Sequence, residues 1–324
     1  MADIVALGEA LIDFVAGEAE VSLMDAKTFV KAAGGAPANL ACAAARLGIS
    51  SALIAKVGDD PFGRFLERTF ADAGTDTSRM VFDPNYHTTL AFVALLPGMV
   101  PDFTFYRNPS ADLMLQASEL DRDFLKAAKV FCYGSLSLIS EPSRSATFAA
   151  IEAAREGRAI ISYDPNLRPA LWKDLDEART GILQGMQHAN ILKLSTEELE
   201  FVTGEPDRDK ACRVLFDGHR DLRLILATMG PDGCYFNNRS VSGRVPGFKV
   251  DVVDTTGAGD AFAAAALVEI LLRGWRLSDL SQLPGEDLKD ICRFANAVAA
   301  LTTTKKGAIE ALPTRADAHR LIEG

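Results

Sequence analysis

The chain has 324 residues, 48% hydrophobic and 24% charged, a balance typical of a globular protein with a large core. Its net charge is −10 and its basic residues are scattered, which argues against nucleic-acid binding. The five cysteines form no C-x-x-C pair, the N-terminal apolar run lacks a basic leader, and the most apolar segment is too short to span a bilayer. We therefore expect a cytoplasmic protein with reduced thiols.

Short apolar runs alternate with helical patterns along the chain. The predicted buried strands are residues 4–8, 52–57, 130–133, 159–164, 191–194 and 222–227. The predicted helices are residues 38–47, 62–73, 143–156, 177–188, 197–202, 258–272, 288–303 and 315–322. This alternation predicts an α/β fold, in which a parallel sheet is covered by helices on both faces. We expect one domain over residues 1–324.

Two segments, approximately residues 11–33 and 86–108, break this alternation. They contain β-rich pieces with no helix between them, and Pro97-Gly98 has the composition of a turn. These segments predict a small antiparallel sheet beside the main one.

Three small residues and an acid stand at the start of the helix predicted at 258–272, namely Gly257, Ala258, Gly259 and Asp260. Small residues leave backbone N–H groups uncovered at a helix N-terminus, where an anion is attracted. An acid beside a bound phosphate could take a proton from an attacking hydroxyl group. A helix cap by Thr255 or Thr256 would explain the same glycines without a ligand.

A second cluster of small residues, Gly34-Gly35-Ala36-Pro37-Ala38-Asn39, begins the helix predicted at 38–47 and precedes a Lys-Val-Gly-Asp segment at 56–59. Together the two clusters resemble the paired signatures of the ribokinase-like, or PfkB, carbohydrate kinases. Segments 105–112, 164–168, 193–199, 228–233 and 307–313 resemble fructokinases of this family, in the expected order. The resemblance implies a ribokinase-like sandwich with a small β-rich lid, and binding of ATP and Mg²⁺.

Asp13 interrupts an apolar run, and a buried carboxylate without a partner is costly, so it must meet water, a donor or a ligand. The resemblance implies that the sugar is bound by Asp13, Gly34, Gly35, Asn39, Arg107, Asn166 and Arg168. The glycines alone could form a turn, and the arginines could form surface ion pairs. Arginine also suits a carboxylate, which keeps an acidic sugar open as a substrate.

The resemblance also implies which residues bind the nucleotide and the cations. The nucleotide-binding set is Lys193, Thr228, Gly230, Gly233 and Asn296. Glu198 would organise Mg²⁺ through water, although Ser195 stands where the family usually carries Asn. An ordinary first-turn helix acid is the alternative for Glu198. Asp254 and Thr256, with backbone from the segment 302–311, match positions that hold K⁺ in ribokinases.

The sequence thus predicts an ATP-dependent kinase that phosphorylates D-fructose to fructose 6-phosphate, with Asp260 as the base. The alternatives in the same class are a 2-keto-3-deoxygluconate kinase and a nucleoside or aminoimidazole riboside kinase. A non-catalytic sugar-binding regulator would be of a different class, but a pure binder does not need Asp260. The expected partners are the sugar and ATP, with no nucleic acid and no membrane, and the lid could pair two copies of the chain.

Overall fold

The computed structural model describes residues 1–18, 20–96 and 100–324, so the predicted Pro97-Gly98 turn lies outside the described residues. The strands are β1 (Ile4–Leu7), β2 (Leu11–Ala16), β3 (Phe29–Gly34), β4 (Ser51–Ile54), β5 (Lys56–Gly58), β6 (Val81–Asp83), β7 (Thr89–Leu96), β8 (Val100–Tyr106), β9 (Val130–Gly134), β10 (Ile160–Asp164), β11 (Ile191–Ser195), β12 (Leu224–Thr228), β13 (Cys234–Asn237) and β14 (Ser242–Val245). The α-helices are α1 (Ala36–Arg46), α2 (Pro61–Asp72), α3 (Arg122–Lys126), α4 (Ser143–Glu156), α5 (Leu175–Met186), α6 (Thr196–Thr203), α7 (Arg208–Gly218), α8 (Ala258–Leu272), α9 (Gly285–Thr302) and α10 (Arg315–Glu323).

Within the described residues, the main sheet has the strand order β14-β13-β12-β11-β10-β9-β1-β4. The strands from β12 to β4 are parallel, as predicted, whereas β13 and β14 are antiparallel. The predicted parallel strands are therefore confirmed, and the antiparallel strands β13 and β14 at this edge were not predicted from the sequence. The chain reverses after β12 at Gly233, which has φ 94° and lies where a Cβ would collide with the carbonyl oxygen of Val245.

Side chains of each central strand alternate between two buried layers. In β1, Ile4 and Ala6 pack against α1, α8 and α9, whereas Val5 and Leu7 pack against the layer that contains α4, α5 and α6. Both faces of the sheet are covered, which confirms the predicted α/β class. No helix of the described residues is both long and apolar enough to cross a membrane.

A small sheet of strands β3-β2-β7-β8 lies within the two β-rich segments. Its outer pairs are antiparallel, but β2 and β7 are parallel, with Asp13 opposite Ala91. The prediction of an antiparallel sheet is therefore wrong for the central pair. Strand β2 follows β1 and strand β7 follows β6, so no hairpin joins them. Their relative direction therefore depends on where β1 and β6 lie in the fold.

Parallel strands β10, β11 and β12 end at one edge of the main sheet, at Asp164, Ser195 and Thr228. Ligands of open α/β sheets bind outside the carboxyl ends of the strands. The loops beyond this edge therefore contain the candidate site.

Candidate active site

The N-terminus of α8 is shaped by backbone geometry. Gly257 has φ 77°, a left-handed conformation, and a Cβ there would lie 2.7 Å from the Cβ of Ala308. Among the described residues, no side chain caps α8 by a hydrogen bond. Thr256 instead donates its hydroxyl to Asp254, at 2.7 Å. The side-chain cap by Thr255 or Thr256 is therefore wrong. The N–H of Ala258 donates to the carbonyl oxygen of Thr255 at 3.3 Å, and, within the described part of the chain, the N–H groups of Gly257 and Gly259 remain available to an anion.

Asp260 lies in this first turn and is half-buried. Burial raises its pKa to about 6, and the charge of Lys193 opposes the rise. Asn39 donates from Nδ2 to Asp260 Oδ2 at 2.8 Å. The carboxylate is therefore ionised at neutral pH and oriented, with a pKa close enough to neutrality for it to accept a proton from a hydroxyl group.

Asn39 comes from the first turn of α1, whose N-cap residue is Gly35 and has no side chain to cap the helix. Gly35 precedes the helix with φ 112°, where a Cβ would collide with the carbonyl oxygen of Glu9. The Asn39 side chain is buried, and its Oδ1 has no hydrogen-bond partner among the described residues. Since buried polar atoms are normally paired, this oxygen is suited to accept a hydrogen bond from a ligand hydroxyl.

Asp13 points to the same region from β2. Burial raises its pKa to about 6, the charge of Arg168 lowers it, and the charge of Asp254 raises it. A Cβ at Gly34 would collide with the Asp13 carboxylate, so a side chain there would displace this carboxylate from its position. Arg168 is exposed and also lowers the pKa of Asp260. The structure thus brings Asp13, Gly34 and Arg168 together beside the base.

Arg107 is buried and paired within the protein. Its Nε donates to Asp112 Oδ2 at 2.8 Å, and its Nη2 lies 2.6 Å from the same oxygen and 2.9 Å from the carbonyl oxygen of Leu136. Its role as a sugar ligand stays a prediction. Asn166 has φ 45°, a conformation that Asn tolerates, and its N–H donates to Asp164 Oδ1 at 3.2 Å. Its contact with the sugar also stays a prediction.

Lys193 lies on the other side of Asp260. Its Nζ is 2.7 Å from Asp164 Oδ2, and both side chains are nearly buried. A Cβ at Gly259 would lie 2.8 Å from this nitrogen. Lys193 therefore borders the anion-binding turn, which is compatible with its predicted contact to the nucleotide.

Glu198 connects two loops at this edge. Its Oε2 accepts the N–H of Ser195 at 2.7 Å, and its Oε1 accepts the N–H of Leu167 at 2.6 Å. Ser195 in turn caps α6 by accepting the N–H of Glu198, which gives this serine a structural role. Burial raises the pKa of Glu198, and the charge of Asp164 adds to the rise.

The described residues contain no group of three or more acids, histidines or cysteines that could enclose a metal ion. Mg²⁺ usually keeps several waters and binds through substrate phosphates and one or two carboxylates. The hard oxygens of Glu198 and Asp164 fit such an arrangement, because each can accept a further hydrogen bond from a metal-bound water.

The predicted K⁺ residues meet at a contact between two loops. Asp254 Oδ2 accepts the N–H of Gly307 at 3.0 Å, and the N–H of Asp254 donates to the carbonyl oxygen of Thr303. Burial raises the pKa of Asp254, but hydrogen bonds from Thr256 and Gly307 outweigh this effect and hold it below its usual value. The two loops are thus close enough to share a cation, and the cation itself stays a prediction.

The predicted nucleotide residues lie around the turn after β12. Thr228 ends the strand, and Gly230, with φ 55°, and Gly233 shape the turn. Asn296 of α9 donates to the carbonyl oxygens of Val245 and Pro246, at 3.1 Å each. Its amide therefore fixes the backbone that follows β14, and its contact with adenine stays a prediction.

Two buried acids near the site were not singled out from the sequence. Asp164 holds Lys193, and Glu9 accepts the N–H of Ala36 at 3.0 Å with its Oε1. Burial raises the pKa of Glu9 to about 7. An acid at the end of an apolar strand, as in Tyr163-Asp164 and Gly8-Glu9, was the available signal.

The pfkB family carbohydrate kinase model matches residues 1–315, so the chain belongs to this family. Probable fructokinase-6, chloroplastic, of Arabidopsis thaliana is 50% identical over 322 residues, covering 98% of this chain and 82% of that protein. The crystal structure of a fructokinase with bound ATP from Xylella fastidiosa has a TM-score of 0.91 at 33% identity, covering 100% of this chain and 99% of that chain. A fructokinase double mutant from Vibrio cholerae O395, in a form with bound fructose, ADP and potassium ion, has a TM-score of 0.85 at 32% identity, covering 99% and 98% of the two chains.

These similarities confirm three predictions made from the sequence. The fold is ribokinase-like, the family is PfkB, and the chain is an ATP-dependent carbohydrate kinase.

Proposed function

We propose that this kinase transfers the γ-phosphoryl group of ATP to the 6-hydroxyl group of D-fructose. The observation that carries the proposal is the contact between two helix N-termini that each follow a glycine, where Asn39 of α1 donates to Asp260 of α8. One helix presents N–H groups and a base to the reacting groups, and the other presents a buried amide oxygen to a hydroxyl group.

In the proposed reaction, the sugar is held by Asp13 and by Asn39 Oδ1. The oxygen of the 6-hydroxyl group attacks the γ-phosphorus, and the Asp260 carboxylate takes the proton of this hydroxyl group. The bond to the ADP oxygen breaks, and ADP leaves. The N–H groups of Gly257 and Gly259 in the Gly257-Ala258-Gly259 turn stabilise the charge on the transferring phosphoryl group. Mg²⁺, when bound, would neutralise phosphate charge, and Glu198 and Asp164 would hold its waters.

Two observations favour fructose over an acidic sugar. The similar proteins compared above are named fructokinases, at up to 50% identity. In addition, the guanidinium group of Arg107 is occupied by Asp112 and by a backbone carbonyl oxygen. Of the two arginines that suit a sugar carboxylate, only Arg168 is exposed.

A coupled assay of ADP release tests the proposal with fructose, ribose, 2-keto-3-deoxygluconate, aminoimidazole riboside and nucleosides. Fructose should give the highest kcat/KM. A preference of about 10-fold or more for 2-keto-3-deoxygluconate, equivalent to about 1.4 kcal/mol, would contradict the fructose assignment and leave the kinase assignment intact. Asp260→Asn protein is the control for contaminating kinases.

We propose that K⁺ activates the enzyme through the loops joined by Asp254 and Gly307. Support comes from the potassium-bound form of the Vibrio cholerae fructokinase. Replacing K⁺ by tetramethylammonium should lower kcat, and equal rates in both salts would contradict the proposal.

We propose a cytoplasmic location and pairing of two copies through the small sheet. The five cysteines are all buried and free, which is typical of proteins kept in reducing compartments. Cell fractionation with immunodetection checks the location. The small sheet exposes apolar side chains at Val30, Phe103 and Tyr106, which favours a covering partner.

A further inference from the structure

Lys193 is placed to act on the phosphoryl group as well as to bind nucleotide. Its side chain is only 9% exposed, and its one hydrogen bond among the described residues is to Asp164 Oδ2 at 2.7 Å. An ammonium group has three donors, so two remain. Because a methyl group on Gly259 would lie 2.8 Å from Nζ, these donors lie beside the anion-binding turn of α8.

The strand pairing fixes this position. Tyr163 of β10 lies opposite Leu192 of β11, so Asp164 and Lys193 follow as neighbours at the end of the sheet. The charge of Glu198 also acts on Lys193, but among the described residues the salt bridge of Nζ is with Asp164. Asp164 therefore holds the ammonium group from one side and leaves it open toward the turn.

Lys193 remains charged despite its burial. Burial lowers its pKa, but the charges of Asp164, Glu198 and Asp260 outweigh this effect and raise it. A buried cation attracts a bound anion more strongly than an exposed cation does, because the protein surroundings screen the charge less than water.

On the basis of the proposed function, we propose that Lys193 is a catalytic residue that donates to the transferring phosphoryl group above Gly259, and that Asp164 is its positioning residue. The bond between the sugar oxygen and the γ-phosphorus forms as the bond to the leaving ADP oxygen breaks. The sugar proton goes to Asp260. Throughout the step, Lys193 compensates the negative charge on the phosphoryl oxygens.

The alternative is that Lys193 has a purely structural role. In that case Lys193 would only neutralise the neighbouring acids, and its loss would affect folding and not the chemical step. The two roles are separated by kcat of the folded variant on its pH plateau, where Asp260 is fully ionised and neutralisation of the acids no longer changes the rate.

The main experiment compares steady-state kinetics of Lys193→Met and wild-type protein. We expect kcat to fall about 10²-fold, the usual effect of removing one preorganised charge or donor, while KM for fructose changes little. Lys193→Met leaves Asp164 unpaired and could impair folding. The double variant Lys193→Met/Asp164→Asn removes this unpaired charge, so any loss of folding in the single variant should be reversed, while kcat should be no higher than that of Lys193→Met.

The acid limb of the pH profile gives a second readout. Asp260 is faced by Asn39, Lys193, Asp164 and Arg168. Removing the Lys193 charge should move the acid limb of kcat/KM to higher pH, whereas Asp164→Asn should move it to lower pH. Opposite shifts would show that both charges act on Asp260 in the folded protein, which a general loss of stability would not produce; the fall in kcat on the plateau then tests the contact with the phosphoryl group.

Lys56 provides a matched control. It is buried in an ion pair with Asp83, with Nζ 3.0 Å from the carboxylate, and also pairs with Glu119. Lys56→Met should destabilise the protein and leave kcat of the folded fraction and the pH profile unchanged.

Gly259→Ala tests the same contact from the other partner. The added methyl group would displace the Lys193 ammonium group, so kcat should fall and the loss should not add to that of Lys193→Met. Near-normal kcat in folded Lys193→Met protein would overturn the inference, and so would fully additive losses of kcat in the double variant Lys193→Met/Gly259→Ala. Either result would leave the proposed function intact as long as Asp260→Asn protein is inactive. If wild-type protein did not phosphorylate fructose, the proposed function itself would fail.

Discussion

Asp260 shows how opposing effects tune one side chain for proton transfer. Burial raises its pKa, and the Lys193 charge and the Asn39 hydrogen bond lower it, giving a value of about 6. At neutral pH most of the carboxylate is ionised and can accept a proton. The same burial means that the ionised form is disfavoured by folding.

Asp260→Asn should therefore separate activity from stability. We expect kcat to fall at least ~10²-fold, because the amide cannot accept the proton, while the dissociation constant for fructose changes little. The free energy of unfolding at pH 8 should rise by about 1 kcal/mol, because an ion that folding disfavours is removed. Steady-state kinetics, calorimetric titration with fructose and urea unfolding measure the three quantities.

Asp254→Asn is the matched control for the stability measurement. The pKa of Asp254 is held below its usual value by Thr256 and Gly307, so this carboxylate is stabilised by folding. Its replacement should lower the free energy of unfolding in potassium-free buffer. The interpretation of both pKa shifts would be wrong if the two variants changed stability in the same direction.

Residue types predicted the chemistry of the site but not all of its contacts. The small residues Gly257, Ala258 and Gly259 before Asp260 indicated an anion-binding turn, because residues with little or no side chain leave the backbone N–H groups uncovered. The ion pair of Arg107 with Asp112 was not predictable, since it depends on how the segment after β8 folds back. Lys193 and Asp164 are 29 residues apart, and only the pairing of β10 with β11 makes them neighbours.

At the scale of elements, strongly periodic segments were predicted well. The bounds of α4 and α8 agree with those predicted, because each has a continuous apolar face or body. Helix α7 was missed because only Ala211, Cys212, Leu215 and Phe216 of its eleven residues are buried and charged residues dominate the rest. The strands β13 and β14 were missed although β1 has the same length, because β13 has only three buried residues in a row and β14 has one buried residue.

The small sheet carries the prediction of self-association. Val30 is 65% exposed, and a charge at this position should disfavour burial against a second copy. We expect wild-type protein to be a dimer and Val30→Lys protein to be largely monomeric in light scattering coupled to size exclusion. Val214→Lys, at a position 51% exposed on α7, should leave the dimer intact. A monomeric wild-type protein, or equal dissociation by both variants, would contradict pairing through this sheet.

At the scale of the whole molecule, buried acids near the site give stability a characteristic pH dependence. Glu9, Asp13 and Asp260 have pKa values raised to about 7, 6 and 6 by burial. Between their unfolded and folded pKa values the native state binds more protons than the unfolded state, so stability falls as pH rises through this window. Burial lowers the pKa of His188 and His219, which act in the opposite sense below about pH 6.5.

Glu9 should dominate above that pH, because its folded pKa is the highest of the three acids and its side chain is almost completely buried. We expect the free energy of unfolding to fall by about 1 kcal/mol between about pH 6.5 and pH 8 in wild-type protein. Glu9→Gln retains the acceptor for the N–H of Ala36, cannot ionise, and should remove most of this fall. The histidines are the same in both proteins, so their contribution cancels in the difference. Urea unfolding at the two pH values measures the effect, and an equal fall in both proteins would mean that Glu9 is already ionised in the native state at the lower pH.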